Sequence, residues 1–149
     1  MAAEFYANEI RCRREFPVSR ARLFEAWTER AQLARWWRPN GFTNTFHEFN
    51  LKAGGVWRFD MHGPDGTVYP NACVFEEIAP EERIVLRHLP PHPFQVIATF
   101  EEAGEGRTRL TFRQIFEDGN EFEQMKAMCA EANEQNLDRL EAVVKAAAR

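Results

Sequence analysis

The chain lacks the long apolar run that a membrane span requires: no stretch approaches ~18 apolar residues. Residues 1–10 lack a basic segment followed by an apolar one, so no secretory signal is expected. Cysteine is scarce. Cys12, Cys73 and Cys129 are far apart and odd in number, which argues against a disulfide framework or a clustered zinc site. Together these absences predict a reduced, cytoplasmic protein. No repeat, low-complexity run or long linker interrupts the sequence. It holds no glycine-rich phosphate loop and no Gly-x-Ser-x-Gly elbow, so the common nucleotide-binding and hydrolase signatures are missing. Positive charge is not in excess: 19 Lys plus Arg face 23 Asp plus Glu, a formal charge of −4. Nucleic-acid binding, which needs a basic footprint, is therefore not expected. Tyrosine is scarce too, at 2 residues.

What is present is phenylalanine and tryptophan, 13 and 4 residues in a chain of 149. The remaining composition, 44% hydrophobic and 28% charged, is that of an ordinary globular domain. One domain over residues 1–149 is expected, because a chain of this length can bury roughly 68–70% of its unfolded surface. The aromatic excess either fills a core or lines a hole.

Residues 5–16 alternate, with Ile10, Cys12 and Phe16 in one phase, and predict a half-buried strand. Arg14 is the exception on the apolar side. Ser19 can cap a helix whose face carries Leu23, Phe24 and Trp27. Thr28 then reads as the cap of a second short helix, through Leu33 and Trp36, which Pro39-Asn40-Gly41 ends. Strands are predicted over 42–51, 56–62, 67–78, 83–88, 94–102 and 107–117. The breaks are Gly54-Gly55, the turn 63–66, the rigid loop 89–93 (LPPHP) and the turn 103–106. Pro70 lacks an amide donor and marks an edge or bulge. Residues 120–148 read as one helix, over 40 Å long at ~1.5 Å per residue. Its apolar stripe of Phe122, Met125, Cys129, Ala132, Leu137, Leu140 and Val144 also carries Asn133 and Asn136.

The order is strand, two short helices, further antiparallel strands, and a long helix: an α+β fold. The sheet is apolar on one side only and must bury that side. One helix is ~10–12 Å wide, whereas six strands at ~4.8 Å span about 24 Å. A six- to seven-stranded sheet must then curl round the helix, with room for a cavity between them.

Several stretches resemble the START-like, or SRPBCC, superfamily. They are most similar to its subgroup of homologues of the C-terminal domain of the activator of the heat-shock-protein-90 ATPase. The residues that carry the resemblance are VSRARLFEAWTERAQLARWW (18–37), FNLKAGGVWRFDMHGPDG (49–66) and VFEEIAPEERIVLRH (74–88), with TRLTFRQIF (108–116) and NLDRLEAVV (136–144). Gly54-Gly55, the turn Gly63 to Gly66, and Pro80 with Arg83 are the most specific matches. The resemblance implies a helix-grip fold, an antiparallel sheet wrapped round the terminal helix with a ligand cavity between. It implies binding of lipids, steroids or polyketides, cyclase or dehydratase chemistry, or help to a chaperone. Asn50, Lys52, Ala53 and Asn133 depart from the family pattern. Many relatives place a Trp at the position of Asn133.

The expected function is binding of a small hydrophobic or amphipathic molecule, with no cofactor and no metal. Its apolar lining is predicted from Trp37, Trp57, Phe59, Met61, Phe75, Phe100, Phe112 and Met125. Pockets are mainly apolar with a few placed polar groups, and Tyr69, His88, Gln114, Asn133 and Asn136 are the polar candidates, with Arg14 and Asn71 beside them. Each of these either finds an internal partner or orients a ligand. The alternative is an enzyme in which His88, Tyr69 or Arg14 moves protons or stabilises an anion. Arg14 is expected to pair with a ligand carboxylate or with Glu76 or Glu77. A third reading is a chaperone-binding module. The edge at Pro70 and the Trp-rich helices suit a homodimer. His47, His62, His88 and His92 have no regular metal-ligand spacing.

Overall fold

The computed structural model describes residues 3–147. Eight strands form one antiparallel sheet in the order β1-β2-β8-β7-β6-β5-β4-β3. In chain order these are β1 (Glu4–Tyr6), β2 (Glu9–Phe16), β3 (Thr43–Phe49), β4 (Val56–His62), β5 (Val68–Ala79), β6 (Arg83–His88), β7 (Phe94–Glu102) and β8 (Thr108–Phe116). Helices α1 (Arg20–Thr28) and α2 (Arg30–Trp36) follow β2, and α3 (Gly119–Ala147) ends the fold. The helix-grip expectation is met. The chain leaves β2 near one edge of the sheet and crosses on α1 and α2 to the opposite edge at β3. A meander of hairpins then returns it to β2.

Three local readings are corrected. The stretch 5–16 is not one strand but a tight hairpin, β1 and β2, closed over Ala7 and Asn8 with Tyr6 opposite Glu9. Asn8 takes φ +58°, a left-handed conformation that asparagine tolerates better than most residues. That split supplies the eighth strand. Thr28 does not cap α2. It ends α1, with its hydroxyl donating to the Phe24 carbonyl at 2.9 Å. Glu29 is the cap instead, accepting from the Ala31 amide at 2.7 Å. Ser19 does cap α1, and Asp118 caps α3 by accepting from the Asn120 amide at 2.8 Å.

The inner face of the sheet is a lattice of cross-strand rows. One row runs Ile84, Ala98, Phe112, Cys12; the next Phe75, Leu86, Val96, Gln114, Ile10; the next Trp57, Cys73, His88, Phe94, Phe116. Helix α3 packs along β2, β8, α1 and α2 through Leu137, Leu140, Val143 and Val144. The β3–β4 half is covered mainly by aromatics. All four tryptophans form one chain of ring contacts: Trp27 to Trp36 at 4.8 Å, Trp36 to Trp37 at 5.5 Å, Trp37 to Trp57 at 5.2 Å. Such tilted and edge-on pairs are worth about 0.5–1.5 kcal/mol each beyond their burial. At the loop into β4, a Cβ on Gly55 would lie 1.9 Å from the Asn50 carbonyl oxygen, so no larger residue fits. Next to it, Gly54 takes φ +83° and donates to the Phe75 carbonyl at 2.7 Å, hooking this loop onto β5. Among the described residues, no helix is long and apolar enough to cross a membrane.

Candidate functional site

Strand β5 is longer than its neighbour β6. Their pairing ends at Cys73 opposite His88, and only the Leu89 amide reaches on to the Ala72 carbonyl, at 2.9 Å. Residues 68–71 therefore overhang, paired to β4 alone. Pro70 stands in this overhang, which is why a missing donor is tolerated within a long strand. The segment 89–92 folds beside the overhang and leaves a half-open cleft of about 630 Å³. Val68, Tyr69, Pro70, Leu89, Pro90 and Pro91 give it apolar walls. Val68 and Tyr69 are 49% and 46% exposed, large values for apolar and aromatic side chains.

His88 sits at the buried wall of this cleft, 8% exposed. Its ring stacks on Phe94 with centroids 4.7 Å apart and planes 15° apart. Its Nδ1 lies 3.0 Å from the Leu89 carbonyl oxygen. Its Nε2 lies 2.7 Å from Asn71 Oδ1. The Asn71 amide is oriented by its own nitrogen, which donates to the Tyr69 carbonyl at 2.8 Å. Both ring nitrogens thus face oxygen acceptors. A neutral imidazole has one N–H and can satisfy one of them; an imidazolium satisfies both. Burial opposes the charged form and holds the His88 pKa below its ordinary value. The carbonyls of Leu89 and His92 and the charge of Glu121 pull the other way, and His92 adds a small lowering effect.

The structure brings Tyr69 and His88 together, with Asn71, at the cleft. The remaining predicted residues lie elsewhere. Trp37, Trp57, Phe59 and Phe75 belong to the aromatic core, with Trp57 parallel to Phe75 at 6.0 Å. Phe100 and Phe112 pack against Trp27 beneath α1. Met61 and Met125 are half-buried at the core's margin. Gln114 and Asn133 pair with each other, the Asn133 amide donating to Gln114 Oε1 at 3.0 Å. Asn136 accepts from the Arg38 amide at 3.1 Å, just past the end of α2, and so ties α3 to that segment. The expected opening between sheet and α3 is thus occupied by side chains where Asn133 stands. A separate apolar hollow of about 290 Å³ lies between α3 and the segment after α2, at Phe42, Met128 and Cys129.

Arg14 is also placed differently from expectation. Its guanidinium donates to Asp138 at 2.8 Å and Glu134 at 3.0 Å, with Glu141 at 3.6 Å, tying β2 to α3. Glu76 and Glu77 instead take Arg87 and Arg83. Strands β8 and β7 separate β2 from β6, so Arg14 does not share a site with His88. Burial pushes the thiols of Cys12 and Cys73 up to about 12, which leaves them unreactive. Among the described residues, no three His, Cys, Asp or Glu side chains converge as a metal site would need.

The residues that sequence reasoning missed are Arg58, Val68, Pro70, Ala72 and the segment Leu89 to His92. The signals were Pro70, which marks a strand stretch without a partner, and the Pro-rich loop directly after His88.

Comparison with solved structures places the whole fold. A protein from Arthrobacter aurescens matches with a TM-score of 0.89 and 24% identity, over 97% of this chain and 91% of that one. One from Nitrosomonas europaea matches at 0.86 and 20% identity, over 95% and 97%. One from Chromobacterium violaceum matches at 0.83 and 22%, over 91% and 96%. No functionally curated protein matches the chain. The family described as "Activator of Hsp90 ATPase homolog 1-like protein" matches residues 17–145, and the chain belongs to that family, within the START-like superfamily.

Proposed function

We propose that the protein binds a small amphipathic molecule in the cleft at the open ends of β5 and β6. The observation that carries this reading is buried His88 paired with half-buried Asn71 in a cleft whose other walls are mainly apolar. A volume of about 630 Å³ lies within the usual range of small-molecule sites, roughly 300–1,000 Å³. Exposed Val68 and Tyr69 side chains would be covered by such a ligand, gaining about 25 cal/mol per Å² of apolar surface removed from water.

The test is a thermal-shift and native mass-spectrometry screen of apolar and amphipathic compounds. It is run in parallel on the wild type and on Ala72→Trp, which sets an indole in the cleft. Ligand at a hundredfold excess over Kd adds about 2.7 kcal/mol of stability, a rise of several degrees in Tm. The expected result is a stabilising compound whose effect the Trp variant loses while its own Tm is retained. Stabilisation that survives Ala72→Trp places the ligand elsewhere and overturns the reading.

A further inference from the structure

The charge of the cleft is one-sided. Among the residues that line it, Arg58, His88 and His92 carry or can carry positive charge, and none is a carboxylate. This occurs in a chain of net charge −4. Arg58 holds Glu48 through Nε at 3.0 Å, and among the described residues no protein acceptor engages its two terminal nitrogens. Those nitrogens form one side of the planar fork that suits a carboxylate or similar oxyanion. His92 engages Glu121 through Nδ1 at 2.6 Å, which leaves Nε2 toward solvent. Both side chains are exposed, so turning them onto a ligand costs little packing.

We propose, resting on the reading of this cleft as a ligand site, that its ligand is a small organic anion. Its apolar body lies against Tyr69, Pro90 and Pro91, its acidic head meets Arg58 and His92, and its binding is accompanied by uptake of one proton at His88. The groups facing His88 are the Asn71 amide and the Cys73 thiol from β5, the carbonyls of Leu89 and His92 and the His92 ring from the loop, Phe94 from β7, and Glu121 of α3, already engaged with His92. None of them supplies a proton to the ring. In the empty cleft burial disfavours the charged ring, and in the neutral ring one lone pair points at an oxygen. A negative charge placed beside the ring offsets the burial effect. The ring then takes a proton from solvent, and both N–H groups donate, one to Leu89 and one to Asn71. The bound protein thus holds the proton more tightly than the empty one. Anion affinity therefore rises as pH falls through the histidine range and levels off below the empty-state pKa.

The test uses a matched pair of fluorescent probes, anilinonaphthalene sulfonate and its uncharged parent phenylnaphthylamine. Only the signal that Ala72→Trp removes is counted. The anion is expected to bind about tenfold tighter than its parent, as one good charge-assisted contact gives. Arg58→Gln and His92→Gln should weaken the anion by more than they weaken the parent, closing the gap between the two. Anion affinity should be several-fold higher at about pH 5.5 than at about pH 8, with calorimetry in two buffers registering proton uptake. In the His92→Gln background, which leaves His88 as the one histidine lining the cleft, the pH dependence should persist, and adding His88→Phe should erase it. Should that variant not fold, NMR titration of the wild-type His88 ring with and without the anion gives the same information, and a rise in its pKa on binding is expected. Equal affinity for both probes, unchanged by pH or by Arg58→Gln, overturns the anion inference and leaves the cleft as a ligand site. If neither probe binds, the ligand-site reading falls as well.

Discussion

Two sets of polar contacts around buried side chains on the inner face of the sheet differ in what they leave over. In one, the Asn133 amide donates to Gln114 Oε1, a donor meeting an acceptor with both groups neutral. In the other, the two nitrogens of His88 meet the Leu89 carbonyl and Asn71 Oδ1, two acceptors facing a ring that has one hydrogen while neutral. The first bond is made at any pH near neutrality. The second set is complete only with an added proton. Polar residues in an apolar row are therefore not equivalent signals. A paired amide is a structural fastening, whereas a ring surrounded by acceptors marks a place where charge can be taken up.

The largest expected effect comes from breaking the amide pair. Gln114→Leu leaves the Asn133 amide buried without a partner and should cost up to about 3 kcal/mol in urea unfolding. The double variant Gln114→Leu/Asn133→Leu should recover most of that loss, because no polar group is then orphaned. Full additivity of the two single losses would show that the pair does not act as a unit.

A charged pair sharpens the comparison next. The Glu9 carboxylate is buried and accepts from Arg113 at 2.8 Å and Arg11 at 2.7 Å. The Arg113 hydrogen bond, aided by Arg11, holds its pKa at about 2. Since the folded value lies below the unfolded one, this stabilisation is present above the ordinary carboxylate range and fades as pH falls toward 2. Glu9→Gln should cost about 2 kcal/mol near neutrality, and the gap from wild type should close in an acid titration.

Supplying the missing charge turns the second pair into the kind Glu9 makes. Asn71→Asp places a carboxylate at Nε2 of His88 and should raise the ring's pKa by about one unit, measured by NMR titration. The sign follows: the added stability is present when the ring is protonated and is lost as pH rises through its folded value. The smallest effect is expected at the other helix asparagine. Asn136→Ala removes one of two acceptors of the Arg38 amide, which also donates to the Trp36 carbonyl at 2.9 Å, and should cost about 1 kcal/mol or less. It should leave probe binding in the cleft unaffected.

The fold was largely legible because strand phase and turn residues act locally. Trp57, Phe59 and Met61 alternate with Arg58, Asp60 and His62, and β4 spans the predicted residues. The hairpin at Ala7-Asn8 was missed because residues on both sides continue the same alternation without a glycine to break it. The site was legible at His88 and Tyr69, where a polar group on an inner phase and a proline-disturbed strand coincide. It was not legible at Arg58. Its phase points outward, and only the difference in length between β5 and β6 brings it to the cleft. Nor could Asn133 be separated from His88 in the sequence. What distinguishes them is the partner across the fold, Gln114 for one and a pair of acceptors for the other.

The overhang of β5 also bears on which visitors the molecule admits. A bare strand is a template on which another chain can extend the sheet. Here the bare stretch contains Pro70, whose nitrogen has no hydrogen to offer. An incoming strand would find a rung of its ladder missing at Pro70. Backbone pairing, the least selective form of recognition, is thereby disfavoured at the one place where β5 stands uncovered. The opening is left to molecules recognised by shape and charge.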